Sequence, residues 1–397
     1  MIANKMQSLV ANSSAIRAMF EEGKKMAAVV GAENVFDFSL GNPSAEPPAA
    51  VKEAILNILS EEPVNLVHGY MNNSGYEDVR KKIAESIQSE FGAAITEDNL
   101  IMTVGAAGGL NVIFKTILNP GDEVLTFAPY FAEYRNYCEN FNASLTVVPA
   151  DLNSFQPNLQ ACEQYITAKT KAVMINTPNN PTGVVYQEAV LRELAQLLLA
   201  KEKEFGTDIY LISDEPYRKL AYDGVKIPYV LEMYHNTFVG YSYSKALSLA
   251  GERIGYIVAN SQMVDFKATM DALNVANRIL GFVNAPSLFQ RVIGRCLTAE
   301  VDVNIYKKNR DLLYQHLIEC GFSCIKPEGA FYLFPKAPIA DDKAFCNAAK
   351  KYNLLLVPGS AFGCPGYFRI AYCTDFDRIQ RSLASFSKLA EEFNLSN

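Results

Sequence analysis

The stretch Ser242–Tyr256, SYSKALSLAGERIGY, decides how the rest of the chain is read. It follows the apolar run Thr237–Gly240, TFVG, and puts Lys245 just past what reads as the end of a buried strand. A free lysine has a pKa of about 10.4 and is a poor nucleophile at neutral pH. Desolvation at a strand end depresses that value and exposes an amine able to form an imine. A lone lysine after a strand is more often a solvated surface group, so its surroundings must carry the reading.

Upstream, apolar runs alternate with helical spacing. NLIMTVG leads into GLNVIFKTIL, and EVLTFA is followed by YFAEYRNYCENF and SLTVVPA. KAVMINT precedes the turn PNNPTG and the helix pattern EAVLRELAQLLLAKEKEF; IYLISD, TFVGYSYS and GYIVAN complete the series. Several runs are apolar on successive residues, as strands buried on both faces are. The pattern predicts an α/β domain with a mostly parallel sheet. Residues 51–91 read as helical, and a long helical region is expected over about 289–319. Short strands around FYLF, LLLVPG and YFRIAYC and a last helix from about Asp377 follow. The expected organisation is an N-terminal segment, 1–48, packing with a small α+β domain, 289–397, and a large domain, 49–288, between them.

Open α/β sheets bind ligands beyond the carboxyl ends of their strands. The polar residues expected there are Gly105–Gly109, Pro129–Phe131, Asn179–Gly183, Asp214–Tyr217 and Ser242–Lys245. Asp214 ends IYLISD; it reads either as a turn or capping residue or as an acid holding a cationic ring nitrogen. Tyr217 reads as core packing or as a phenol donor. TPNNPTG, Thr177–Gly183, makes a turn in any case, but it leaves the Asn180 amide free for a ligand oxygen. Gly105, Ala106 and Ala107 open a helix whose amides suit a phosphate, with Ser242, Ser244 and Arg253 as further donors. GAAGG is not GxGxxG, and no GxxxxGK[ST] occurs, so a dinucleotide fingerprint and a P-loop are both absent. An imine-forming lysine, a ring-nitrogen acid and a phosphate cup are together the parts of a pyridoxal-phosphate site.

Composition narrows the alternatives. A net charge of −7 with no basic block argues against nucleic acid or an anionic membrane as partner. The 8 cysteines form no CxxC pair, and with only 3 histidines a metal site is not expected. Reduced cysteines, no signal-peptide pattern and no apolar run of membrane length point to the cytoplasm.

At this point the sequence resembles the class I/II aminotransferases, pyridoxal-phosphate enzymes of fold type I, over most of its length. SYSKALSLAGERIGY looks like the family's lysine signature, TPNNPTG like its Asn-Pro-x-Gly turn, and SDEPY like its ring-nitrogen acid and tyrosine. FRIAYC, GNPSAEPP, HGYMNNSGYEDVRKKIA and APYFAEY resemble further family segments. The resemblance implies a seven-stranded, mostly parallel large-domain sheet and pyridoxal 5'-phosphate held by Lys245 as an internal aldimine. It implies that Asp214 and Tyr217 act with Lys245, and that Arg253 serves the phosphate and Phe131 the ring face. Asn180 would lie near the ring hydroxyl and, with Arg369 and Gly41, meet the α-carboxylate. Tyr70 would reach the phosphate of the partner subunit, making a homodimer with shared active sites. The implied reaction moves an amino group from an L-amino acid to a 2-oxo acid.

Two departures bear on substrate. Aspartate-using relatives in one subgroup carry a lysine where GAAGGL has Ala107, and only Arg278 lies near as a second arginine. The alternative on the same fold is a carbon–sulfur lyase, but several of those carry a histidine in the turn that here reads PNNPTG. A regulator with an N-terminal helix-turn-helix would need more than the roughly 40 residues available before GNPSAEPP.

Overall fold

A computed structural model describes residues 2–11 and 15–395. Its strands are β1 Phe36–Asp37, β2 Leu100–Thr103, β3 Glu123–Phe127, β4 Ser144–Val148, β5 Thr170–Asn176 and β6 Tyr210–Asp214. They continue with β7 Thr237–Ser242, β8 Gly255–Ala259, β9 Tyr332–Leu333, β10 Leu354–Leu355, β11 Val357–Pro358 and β12 Phe368–Ala371. The central sheet has seven strands in the order β2-β8-β7-β6-β5-β3-β4. Only β8 runs antiparallel to its neighbours. The fold is thus the mostly parallel α/β class the sequence pattern predicts.

The successive-apolar reading of the strands has a direct cause. Every residue of β7 and β8 is buried, because helices cover both sheet faces. The helix Glu188–Phe205 shows how one face is covered. Leu191, Leu194, Ala195 and Leu198 recur at three- and four-residue spacing and are all buried. Gly206, in the left-handed conformation at φ 65°, ends it. Truncating one of these leucines to alanine costs about 2–5 kcal/mol.

The smaller core gathers Phe36, Phe38 and Ala45 from the N-terminal segment with Val301, Tyr306, Phe331, Tyr332, Phe345, Phe368 and Phe386. β1 pairs in parallel with β10, and β11-β12-β9 form a three-stranded antiparallel sheet. The expected helical region 289–319 is interrupted: Ser287–Arg295 and Asn304–Glu319 are separate helices. The first packs on Ala49–Glu61 and Glu77–Phe91 and puts Val292 and Ile293 into the large core. Large-core packing thus continues past 288 to Cys296, and Val301 is the next buried residue in the smaller core. Helical periodicity shows a helix's apolar face but not which core receives it.

Candidate active site

The carboxyl ends of β5, β6 and β7 bring Asn176, Asp214 and Ser242 to one edge of the sheet, where they line a cleft of ≈ 1750 Å³. Gly41, Ala106, Ala107, Phe131, Asn180, Tyr217, Ser244, Lys245, Arg253 and Arg369 line it too. Tyr70 does not; it stands 94% exposed. Arg278, in the last turn of the helix Phe266–Ile279, is not part of the lining.

Asp214 is buried, and Tyr134 donates its hydroxyl to Oδ2 at 2.6 Å. Oδ1 is buried and has no partner among the described residues. Burial pushes the carboxyl up to about 7, against the lowering effect of the Tyr134 hydrogen bond. A buried acceptor without a donor is costly in a folded protein, so the atom is poised for a donor arriving from the cleft. Behind it, Asn176 donates from Nδ2 to the Asp214 carbonyl at 2.8 Å and accepts from the Asn180 amide at 2.7 Å.

Lys245 lies in the short helix Tyr243–Ala246, which starts at the Ser242 cap. Its ammonium donates to the Gly41 carbonyl at 2.7 Å. Burial above all, helped by the charges of Arg253 and Arg369 and opposed by Cys373, lowers its pKa to about 8. Ser242 Oγ donates to Ser244 Oγ at 2.7 Å, and Arg253 Nη1 reaches Ser244 Oγ at 3.4 Å. Arg253 itself is exposed. Gly105 opens the helix Gly105–Ile117 at φ 68°, and a Cβ there would lie 2.6 Å from Arg253 Nη2. Only glycine lets the guanidinium sit against that helix start. Two hydroxyls, a guanidinium and free helix-start amides thus face one corner of the cleft.

Arg369, on β12, is 2% exposed. It donates to Asn180 Oδ1 at 3.0 Å and to the Ser39 carbonyl, with the Tyr332 and Phe362 rings 4.6 and 4.8 Å away. Among the described residues no carboxylate pairs with it; burial lowers its pKa, and its Nε has no partner. A buried cation without a counter-charge favours an anionic ligand. Tyr217 is buried and shares a 2.8 Å hydrogen bond with the Tyr332 hydroxyl. Phe131 stands edge-on to Tyr134, ring centroids 5.5 Å apart.

Tyr134, Tyr332 and Asn176 are site residues that sequence reasoning missed. Asn176 ends KAVMIN as Asp214 ends IYLISD, so the strand-end rule that singled out the acid would have found it. The two tyrosines look like core aromatics along the chain, and only the fold brings their hydroxyls to Asp214 and Tyr217.

Two further observations concern the described residues as a whole. No helix is long and apolar enough to cross a membrane. The eight cysteines form no disulfide.

The family model for aminotransferase class I and II matches residues 33–386. An aspartate aminotransferase from Thermotoga maritima is 30% identical, covering 92% of this chain and 94% of its own. A probable aspartate/prephenate aminotransferase from Thermus aquaticus is 32% identical, over 88% and 89% of the two chains. A crystal structure of an aminotransferase from Eubacterium rectale superposes with a TM-score of 0.96 at 45% identity, over 99% of this chain and 100% of that one. The Thermus thermophilus aspartate aminotransferase with maleate gives 0.86 at 26% identity, over 98% and 99%. These relatives lend the carbon–sulfur lyase alternative no support. The chain belongs to the class I and II aminotransferases and is an aminotransferase of fold type I.

Proposed function

We propose that the cleft binds pyridoxal 5'-phosphate and transfers an amino group from an L-amino acid to a 2-oxo acid. The observation that carries this reading is the unpartnered, buried Asp214 Oδ1 beside a lysine whose pKa is lowered to about 8. When bound, the cofactor supplies an aldehyde that condenses with amines and a protonated ring that withdraws electrons.

The residues fit that group. Asp214 Oδ1 would accept the ring N–H, and the positive charge there would draw the carboxyl back toward its ionised form. Tyr134 holds the other oxygen, so the acid cannot turn away. Tyr217 and Asn180 would donate to the ring oxygen, and Phe131 would cover a ring face. Gly105, Ala106 and Ala107 offer backbone amides to the phosphate, and Ser242, Ser244 and Arg253 complete its cup. Lys245 would be the attachment amine and, once displaced by substrate, the base placed to take the α-proton and return it two atoms away, across the nitrogen. Arg369 grips the α-carboxylate with two parallel donors, and Asn180 and the Gly41 loop flank it.

The proposal extends to assembly. Tyr70 follows exposed Val64 and Leu66, an apolar strip suited to a second copy. In a homodimer with shared sites, Tyr70 serves the phosphate of the partner subunit. The division into segment 1–48 with a small domain, and a large domain from 49, is kept with the junction near residue 300. Eight reduced thiols favour a cytoplasmic location.

The test is a single turnover without acceptor. Transfer yields one 2-oxo acid per bound cofactor and no free ammonia; a continuing release of ammonia would show elimination instead.

A further inference from the structure

We propose that Tyr332 is a positioning residue that couples the α-carboxylate clamp to the phenol of Tyr217. This rests on the cofactor reading above. Tyr332 sits on β9, 2% exposed, and touches three parts of the site at once. Its hydroxyl is 2.8 Å from that of Tyr217. Its ring lies 4.6 Å from the Arg369 guanidinium carbon. A Cβ on Gly41 would be 2.2 Å from its hydroxyl, so the loop whose carbonyl holds Lys245 closes directly onto it.

Either hydroxyl can donate in this pair, and the demand of a bound ligand sets the direction. Tyr217 has one proton, and to serve a ligand oxygen it must not spend it on Tyr332. Tyr332 must then donate and Tyr217 accept. A phenol that accepts a hydrogen bond becomes a stronger donor, because successive hydrogen bonds polarise one another. Burial holds both phenols neutral: Tyr332 is pushed up to about 12 and Tyr217 further. The face of the same ring, negative in its quadrupole, lies against a guanidinium that has no carboxylate. One side chain thus steers the donor to the ring oxygen with its hydroxyl and the clamp with its face. Phenylalanine keeps the second role and loses the first; leucine loses both.

The test uses the holoenzyme and reads the pKa of its visible absorption, which falls when the ring oxygen's negative charge is stabilised. Tyr332→Phe should raise that pKa by about 0.5–1 unit and leave the Kd for propionate, a carboxylate without an amine, within about twofold. Tyr332→Leu should raise the pKa similarly and weaken propionate by about three- to tenfold. Tyr217→Phe alone should raise the pKa, and adding Tyr332→Phe to it should shift it no further. Thermal melts show whether each variant folds, and the Phe variants keep the buried ring. An unchanged pKa in Tyr332→Phe, or full additivity in the double variant, overturns the coupling alone. A wild-type protein with no visible band after incubation with pyridoxal 5'-phosphate overturns the cofactor reading and the inference with it.

Discussion

Tyr134 and Asp214 meet at 2.6 Å through one carboxylate oxygen, and the other carboxylate oxygen is left buried and unpartnered. This asymmetry fixes the acid's orientation before any ligand arrives, and it makes the acid's protonation state testable. Asp214→Asn should lower turnover by about a hundredfold or more, since a charge-assisted contact to the ring nitrogen is lost. The apoprotein provides a second readout. With a folded pKa of about 7 against an ordinary 3.8, Asp214 keeps a proton in the folded chain that the unfolded chain has released. Its contribution to stability is therefore full below about pH 4 and is lost as pH rises to about 7. Urea melts of both apoproteins across that window should show a steeper fall in wild type; parallel curves would mean that the carboxyl does not titrate there.

Lys245→Ala should retain cofactor binding but lose turnover by roughly ten-thousandfold. Borohydride reduction of the wild-type holoenzyme should fix the label on Lys245, and peptide mapping to another lysine would reject the assignment. With its pKa lowered to about 8, about a tenth of Lys245 is neutral at pH 7, against roughly one in 3,000 for an ordinary lysine. The rate of loading of the apoenzyme should accordingly climb with pH and level off above about 8. A climb continuing to about pH 10 would show an unperturbed amine.

Arg369→Lys should weaken every donor and acceptor by a similar factor, about 2–5 kcal/mol at the transition state, since lysine lacks the two parallel donors. Comparing kcat/KM for three chemically different donors checks this. A loss confined to acidic donors would show that Arg369 reads the side chain instead.

Mixing Tyr70→Phe with Lys245→Ala should restore some activity through hybrid dimers, because one site of each hybrid receives both native residues. Sedimentation of a fully active monomer would rule that arrangement out.

The parts legible in the sequence share a physical origin. Lys245, Asp214 and Asn180 follow buried strands, where apolar runs end abruptly in polar residues, and Arg369 lies within a short apolar run of the small core. Gly105 was legible as a helix opener, but its contact with Arg253 needed the crossing of two loops. Tyr134 and Tyr332 were invisible because their apolar bodies satisfy the core pattern and only their hydroxyl tips matter. The break between Arg295 and Asn304 was hidden for a similar reason: both flanking helices keep apolar spacing, and no proline marks the join.

The Asp214 carbonyl, Asn176, Asn180 and Arg369 form a run of hydrogen bonds of 2.8, 2.7 and 3.0 Å. With the proposed roles of Asp214 and Arg369, that run would work as a ruler between the group that holds the ring and the group that grips the carboxylate. It runs from the central sheet to the three-stranded sheet that carries Arg369, so a slide of about 1 Å between them would spoil the alignment of reacting groups. A molecule that carries amine and carboxylate on the same carbon matches a fixed spacing. β-Alanine inserts one more carbon–carbon bond, about 1.5 Å, and must release one grip to keep the other. Selection for α-amino acids would in this way be a property of length, set before any residue in the cleft senses the side chain.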